Sequence, residues 1–146
     1  MKVFSLALLT ALLWGCAPMF DKLGLAKATP LAALSIRTIV VAVVLGVFVL
    51  ASGGWREFQG LDSRSVMYIV LGGLAAGLLG QYVYYHALKL GEAGRVVPIS
   101  ATYPLVAAFL AALFLKEPVT PGKILGAVLI VLGVVTIRMD QVLWPR

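Results

Sequence analysis

Charge is what this chain has least of. Charged residues fill 12% of its 146 positions, about half of the roughly 25% usual in soluble globular domains. With hydrophobic residues at 62% and a mean hydropathy of +1.03, the chain cannot cover itself with a water-facing surface. Cysteine is nearly missing. Cys16 stands alone, which excludes an intramolecular disulfide and a cysteine-built zinc site. His86 is the one histidine, so a histidine-rich metal cluster is excluded too. There is no Gly-rich phosphate loop and no nucleophile with a base beside it. Neither a metal, a cofactor nor an enzymatic reaction is therefore expected. The net charge of +6 and pI near 9.8 would suggest a nucleic-acid partner only if the cations clustered on a soluble face. They sit instead one to three at a time between long apolar runs, as in chains that cross a bilayer.

A hydrocarbon core of about 30 Å needs about 20 apolar residues per helix. Five stretches qualify, at approximately 3–20, 30–52, 65–89, 96–115 and 121–138. The first is closed by Asp21 and Lys22. The second opens at Thr29-Pro30, an N-cap with proline in the first turn, and is interrupted only by Arg37. The third is closed by Lys89 and Gly91, the fourth by Lys116-Glu117, and the fifth begins at a second Thr-Pro pair, Thr120-Pro121. The fold class expected is an all-α integral membrane protein with five transmembrane helices, residues 1–146 forming one transmembrane domain. Leu13-Trp14-Gly15-Cys16 faintly resembles a lipoprotein cleavage box, but tryptophan fits poorly there and the apolar run continues past the cysteine. The segment reads as a retained first helix. Trp55 and Trp144, just outside their spans, read as interface anchors.

Orientation is weakly signalled. Lys2, Arg56, Arg64, Lys116 and Lys123 share one side, while Lys22, Lys27, Lys89, Arg95, Arg138 and Arg146 share the other, with Arg37 a seventh. The positive-inside rule acts through an excess, and here there is none to speak of. Either another determinant sets the orientation or the chain inserts both ways.

Polar residues inside spans are costly unless they face protein or a water-filled cavity. At about 100° per residue, Ala7, Thr10, Ala11, Trp14 and Pro18 share one face of the first helix. Ser100, Tyr103, Pro104, Ala107 and Ala111 share one face of the fourth, with Leu105, Phe109 and Leu113 opposite, on the expected lipid side. On the third, Gly73, Gly77, Gly80, Gln81 and Tyr84 group together, and Tyr82 and His86 point the other way. Gly73 and Gly77 have the spacing for close helix approach, as a packing reading would have it, and Gly126 and Gly133 lie seven apart on the fifth. Pro18, Pro98 and Pro104 mark kinks, which transporters also use to open carbonyls toward a substrate. Arg37 can snorkel to the interface, pair with Asp21, or anchor an anionic substrate. All six acids (Asp21, Glu57, Asp62, Glu92, Glu117 and Asp140) flank the expected spans, so proton exchange through a membrane-buried carboxylate is not supported.

In order and spacing, the chain resembles a single EamA-type repeat of the drug/metabolite transporter superfamily. The resemblance rests on Trp14-Gly15 followed by Lys22, on Arg37, and on Tyr84-Tyr85-His86-Ala87-Leu88-Lys89 followed by Glu92-Ala93. Tyr103-Pro104-Leu105, Leu115-Lys116-Glu117-Pro118 and the closing run from Gly126 to Gly133 complete it. Most members carry two such repeats of inverted topology around a central cavity. The resemblance therefore implies one half of an inverted-repeat ten-helix transporter, completed by an antiparallel homodimer. It implies a secondary transporter, in the exporting direction, of small organic metabolites such as amino acids or amines, working by alternating access in the cytoplasmic (inner) membrane of a prokaryote. Its cavity would draw on Thr10, Trp14, Pro18, Gln81, Tyr82, Tyr84, Ser100, Tyr103 and Pro104, with Arg37 as an anion anchor. The alternative is a non-transporting accessory or structural subunit, for example of a lipid-flipping or lipid-modifying complex.

Overall fold

The computed structural model describes residues 2–143, with side chains through Met139; Trp144 and Arg146 lie outside the described residues. Five helices are long and apolar enough to cross a membrane: Lys2–Leu25, Pro30–Ser52, Ser63–Leu90, Ala93–Phe114 and Pro121–Met139. There is no strand among the described residues. The protein is an all-α membrane protein with five spans. We label its helices α1 (Lys2–Leu25), α2 (Pro30–Ser52), α3 (Ser63–Leu90), α4 (Ala93–Ser100), α5 (Tyr103–Phe114) and α6 (Pro121–Leu143); α4 and α5 together make the fourth span.

The helix starts follow from their caps. Thr29 is extended, and its hydroxyl accepts from the Ala32 N–H at 3.2 Å, with Pro30 in the first turn. Thr120 does the same for α6, accepting from the Lys123 N–H at 3.4 Å. A third cap is at Asp62, whose carboxylate accepts from the Ser65 N–H at 3.3 Å and starts α3 at Ser63. This cap holds the Asp62 carboxyl below its ordinary value, chiefly through its hydrogen bond to Ser65. α2 ends on Gly53 at φ 71°, a left-handed conformation that only glycine adopts without steric cost. A short 3-10 segment, Gly54–Gly60, follows, with the Arg56 guanidinium 5.6 Å from the Trp55 ring centroid.

Two helices depart from the regular pattern. α1 continues past Phe20 to Leu25 and so carries Asp21 and Lys22 inside it, because neither residue breaks a helix and the first strong break is the turn after Gly24 and Leu25. In α3 the stretch Gly73–Gly80 is π-helical. Each turn there holds more residues than an α-turn, so each residue advances by less than the α-helical angle.

The chain divides into two compact units, Met1–Gly91 and Glu92–Arg146. In the first, α1, α2 and the Gln81–Leu90 end of α3 pack on one another. Among the described residues, the buried ones collect there: Leu25, Pro30, Leu34, Tyr85 and Leu88. In the second, α4 packs against α6, and none of the residues with described side chains is fully buried.

Candidate functional site

The buried end of the first unit is organised by long side chains reaching across sequence. Lys22 Nζ donates to the carbonyl oxygens of Leu88 at 2.6 Å and Gly91 at 2.7 Å. These are acceptors from the last turn of α3 and the residue after it, and a cation at a helix C-terminus is favoured by its dipole. Lys89 Nζ donates to the Ala28 carbonyl at 2.7 Å, tying the α1–α2 turn to the same place. The family-like run Tyr84 to Lys89 therefore serves a structural purpose: it delivers Tyr85, Leu88 and Lys89 to a single knot.

At the centre of that knot Tyr85, only 2% exposed, joins two charges. Its Oη donates to Asp21 Oδ1 at 2.7 Å and accepts from Arg37 Nη1 at 3.3 Å. Arg37 and Asp21, for which pairing is one of the readings open in the sequence, are thus bridged by a phenol. Tyr85 is the functional-looking residue that sequence reasoning missed. Its only signal there was membership in the Tyr84-Tyr85-His86 run, since its partners lie 48 and 64 residues away.

The expected cavity residues divide between the units. In the first, the Thr10 hydroxyl donates to the Leu6 carbonyl at 2.9 Å, a common resting bond for a helical threonine. Trp14 is exposed, and Pro18 is half-buried. Pro18 and Tyr84 lie on elements that pack together, α1 and the end of α3. Gln81, at the exit of the π-helical stretch, and Tyr84 are half-buried. Tyr82 meets His86 edge to face, ring centroids 4.6 Å apart at 78°. A Cβ placed at Gly73 or Gly77 would meet nothing within 4 Å, so these glycines make no close helix approach within the unit.

Ser100, Tyr103 and Pro104 belong to the second unit, and all three are exposed. The fourth span is broken between them. Pro104 has no N–H to give the Ser100 carbonyl and its ring crowds that turn. Ala101 and Thr102 leave the helical path (ψ 7° and −9°), and the Thr102 hydroxyl donates to the Ile99 carbonyl at 2.8 Å. The kink expected of Pro104 is an interruption of the helix at Ala101 and Thr102. Leu105 and Phe109, expected on the lipid side, line a groove of about 220 Å³ together with Pro118, Val119 and Ile124 of the loop and α6. The tight Glu117–Pro118 return brings α6 back onto that face. Lys123 pairs with Glu117 at 3.4 Å at the same groove.

Residues 1–139 match the sequence profile of the family described as EamA-like transporter family. The chain is 34% identical to an uncharacterized transporter in the cobO 3' region of Sinorhizobium sp., over 87% of this chain and 89% of that one. It is 29% identical to an uncharacterized protein of Methanocaldococcus jannaschii, over 93% of this chain and 96% of that one. It is also 29% identical to a probable amino-acid metabolite efflux pump of Escherichia coli K12, over 89% of this chain but 46% of the pump. No solved structure matches.

Proposed function

The chain belongs to the EamA-like transporter family, and from that premise we propose that it is a secondary exporter of small organic metabolites, amino acids or amines foremost. It is a multi-pass membrane protein whose substrates are small molecules; its proposed home is the cytoplasmic membrane of a prokaryote. Residues 1–146 act as one repeat. Two copies meet antiparallel and alternate access to a cavity between them.

The observation that carries this reading is the extent of the likeness. The chain corresponds to most of two relatives but to 46% of the E. coli pump. A second copy, inverted, supplies a complement of the size the longer pump has in one chain. The near-equal distribution of basic residues fits insertion in both orientations. Gly126 and Gly133 of α6 have open space where a Cβ would stand, which suits close approach by a helix of the other copy. Aromatic faces at Trp14, Tyr82 and Tyr84 with Thr10, Gln81 and Pro18 in the first unit, and at Tyr103 with Ser100 and the interruption at Pro104 in the second, suit amphipathic solutes with a polar head.

The test is flux in liposomes containing only this purified chain. Amino acids or amines move without any partner protein, and Trp14→Ala and Tyr103→Ala each lower flux about tenfold or more while assembly is kept, as loss of a large aromatic contact at a binding centre does. Absence of flux for every amino acid and amine tested rejects the transporter reading. Reporters that are active on one side of the membrane only, fused to the C-terminus, both give signal if insertion is dual; signal from one alone rejects the antiparallel homodimer.

A further inference from the structure

Arg37 lies seven residues beyond Pro30, roughly 10 Å along the helix axis from the start of α2. A guanidinium at that depth is costly unless it faces protein, water or a bound group of opposite charge. Among the described residues it makes one hydrogen bond, the 3.3 Å contact to Tyr85 Oη, so most of its five N–H donors are unengaged. The side chain is exposed. Asp21 is in the mirror situation. Oδ1 accepts from Tyr85, and Oδ2 receives no hydrogen bond among the described residues. The two charges stand no farther apart than the two hydrogen bonds laid end to end, yet they do not pair. Tyr85, buried as Leu25 and Leu88 are, where α1, α2 and the end of α3 pack together, stands between them.

We propose that Asp21 and Arg37, spaced by the Tyr85 hydroxyl, read the two ends of a zwitterion, so that the ligand of the first unit is a free α-amino acid. This rests on the transporter reading above and names the solute head group that it leaves open. The ammonium group goes to the Asp21 carboxylate, which has acceptor capacity left. The carboxylate goes to the Arg37 fork, whose paired N–H groups match its two oxygens. An α-amino acid carries these groups on one tetrahedral carbon, the short separation this pair is built for. A simple anion is disfavoured by the neighbouring Asp21 and a simple amine by Arg37. The zwitterion alone satisfies both charges at once and removes the cost of leaving them in the membrane. Lys22 and Lys89 do not compete for the carboxylate, because their ammonium groups are engaged with backbone carbonyls.

The experiment reconstitutes the full chain in phosphatidylglycerol vesicles, whose headgroup has no ammonium, and follows three mixtures by mass spectrometry. They are the twenty standard L-amino acids, the primary amines made by removing their carboxyl groups, and their N-acetyl derivatives. The native chain prefers the amino acids to both others. Arg37→Gln loses about tenfold or more for amino acids, the scale of one charge-assisted hydrogen bond, and keeps or gains amine flux. Asp21→Asn loses the same for amino acids and no longer discriminates against the N-acetyl derivatives. If either neutral variant does not assemble, Arg37→Lys and Asp21→Glu decide. Each keeps the preference for amino acids at lower affinity, and an unchanged affinity in both overturns the proposal. Native flux of amines without amino acids, or neutral variants with native selectivity, overturns the proposal and leaves the transporter reading standing. No flux of any mixture removes that reading and the proposal with it. A dependence on Arg37 found only in phosphatidylethanolamine vesicles assigns the pair to a lipid headgroup and also overturns it.

Discussion

The two units use equally apolar helices and hold them in different ways. In the first, five side-chain hydrogen bonds span 48 to 69 residues of sequence, and they converge on the one set of buried side chains. In the second, the side-chain bonds of Thr102, Thr136, Lys123 and Glu92 span six residues or fewer. Thr102 reaches Ile99, Thr136 reaches Leu132 at 2.9 Å, Lys123 reaches Glu117 and Pro118, and Glu92 pairs with Arg95 three residues on at 3.3 Å. Helices in lipid gain nothing from hydrophobic burial against one another, so they are held by close packing and by polar contacts. The first unit has both within its own chain. The second has neither in comparable measure, and its apolar faces are left for lipid or for another helix.

The largest effect that separates the units is a cavity. Leu88 is fully buried and Leu113 is 59% exposed. Leu88→Ala costs about 2–5 kcal/mol, as buried leucine truncations do, whereas Leu113→Ala stays within about 0.5 kcal/mol, the range of exposed changes. Thermal unfolding in detergent, followed by helix content, measures both. Equal losses would mean that the first unit's core is not what stabilises it. Next comes the polar clamp. Lys22→Met keeps the apolar stem and removes two charge-assisted bonds to the end of α3, a loss of about 1.5–3 kcal/mol. The unit then opens first at Leu88–Gly91, read as faster amide hydrogen exchange there with exchange in α6 unchanged.

The smallest effect sharpens the comparison at a helix start. The Asp62 carboxyl is held below its ordinary value near 3.8 by its bonds to Ser65, so its folded pKa lies under its unfolded one. Its contribution is complete above the unfolded value and is lost as pH falls through the folded one. Acidification through and below that range frays α3 at Ser63–Ser65, whereas Thr29 and Thr120, which do not ionise, keep their caps. Asp62→Asn abolishes the pH dependence and retains a cap. Unchanged exchange at Ser65 across that range would show that the carboxylate is not the cap in solution.

The spans were legible in the sequence because uncharged runs and cap residues are local signals. Thr29-Pro30 and Thr120-Pro121 were read from two adjacent letters and start α2 and α6 through contacts of three residues. Pro104 was legible as a disturbance, since a missing N–H is a property of the residue itself, although how far the helix would open was not. The Asp21–Tyr85–Arg37 bridge was legible only in part. The charges stood out against the apolar background, but which phenol lay between them depends on how three distant helices pack, and no periodicity carries that. Asp62 was missed because the span was counted from its first apolar run, and a cap stands before that run begins. The π-helical stretch left no mark beyond its glycines, which read equally well as small packing residues.

The Gly73–Gly80 stretch makes α3 a shaft with a phase offset in its middle. Rotation measured from Ser63 does not carry through to Leu90 at a constant angle. Tyr82, Tyr84 and Tyr85 therefore point where the wide turns leave them, and a wheel drawn over the whole helix misplaces them. Relaxation of the stretch into a regular α-helix with no change in its length would turn the far end by on the order of 100°, because eight residues would each advance by the larger angle. Tyr85 would swing away from Asp21 and Arg37 while every span remained long enough to cross the membrane. The winding of this glycine-rich stretch, at constant length, thus decides which side chains of the two ends of α3 share a face.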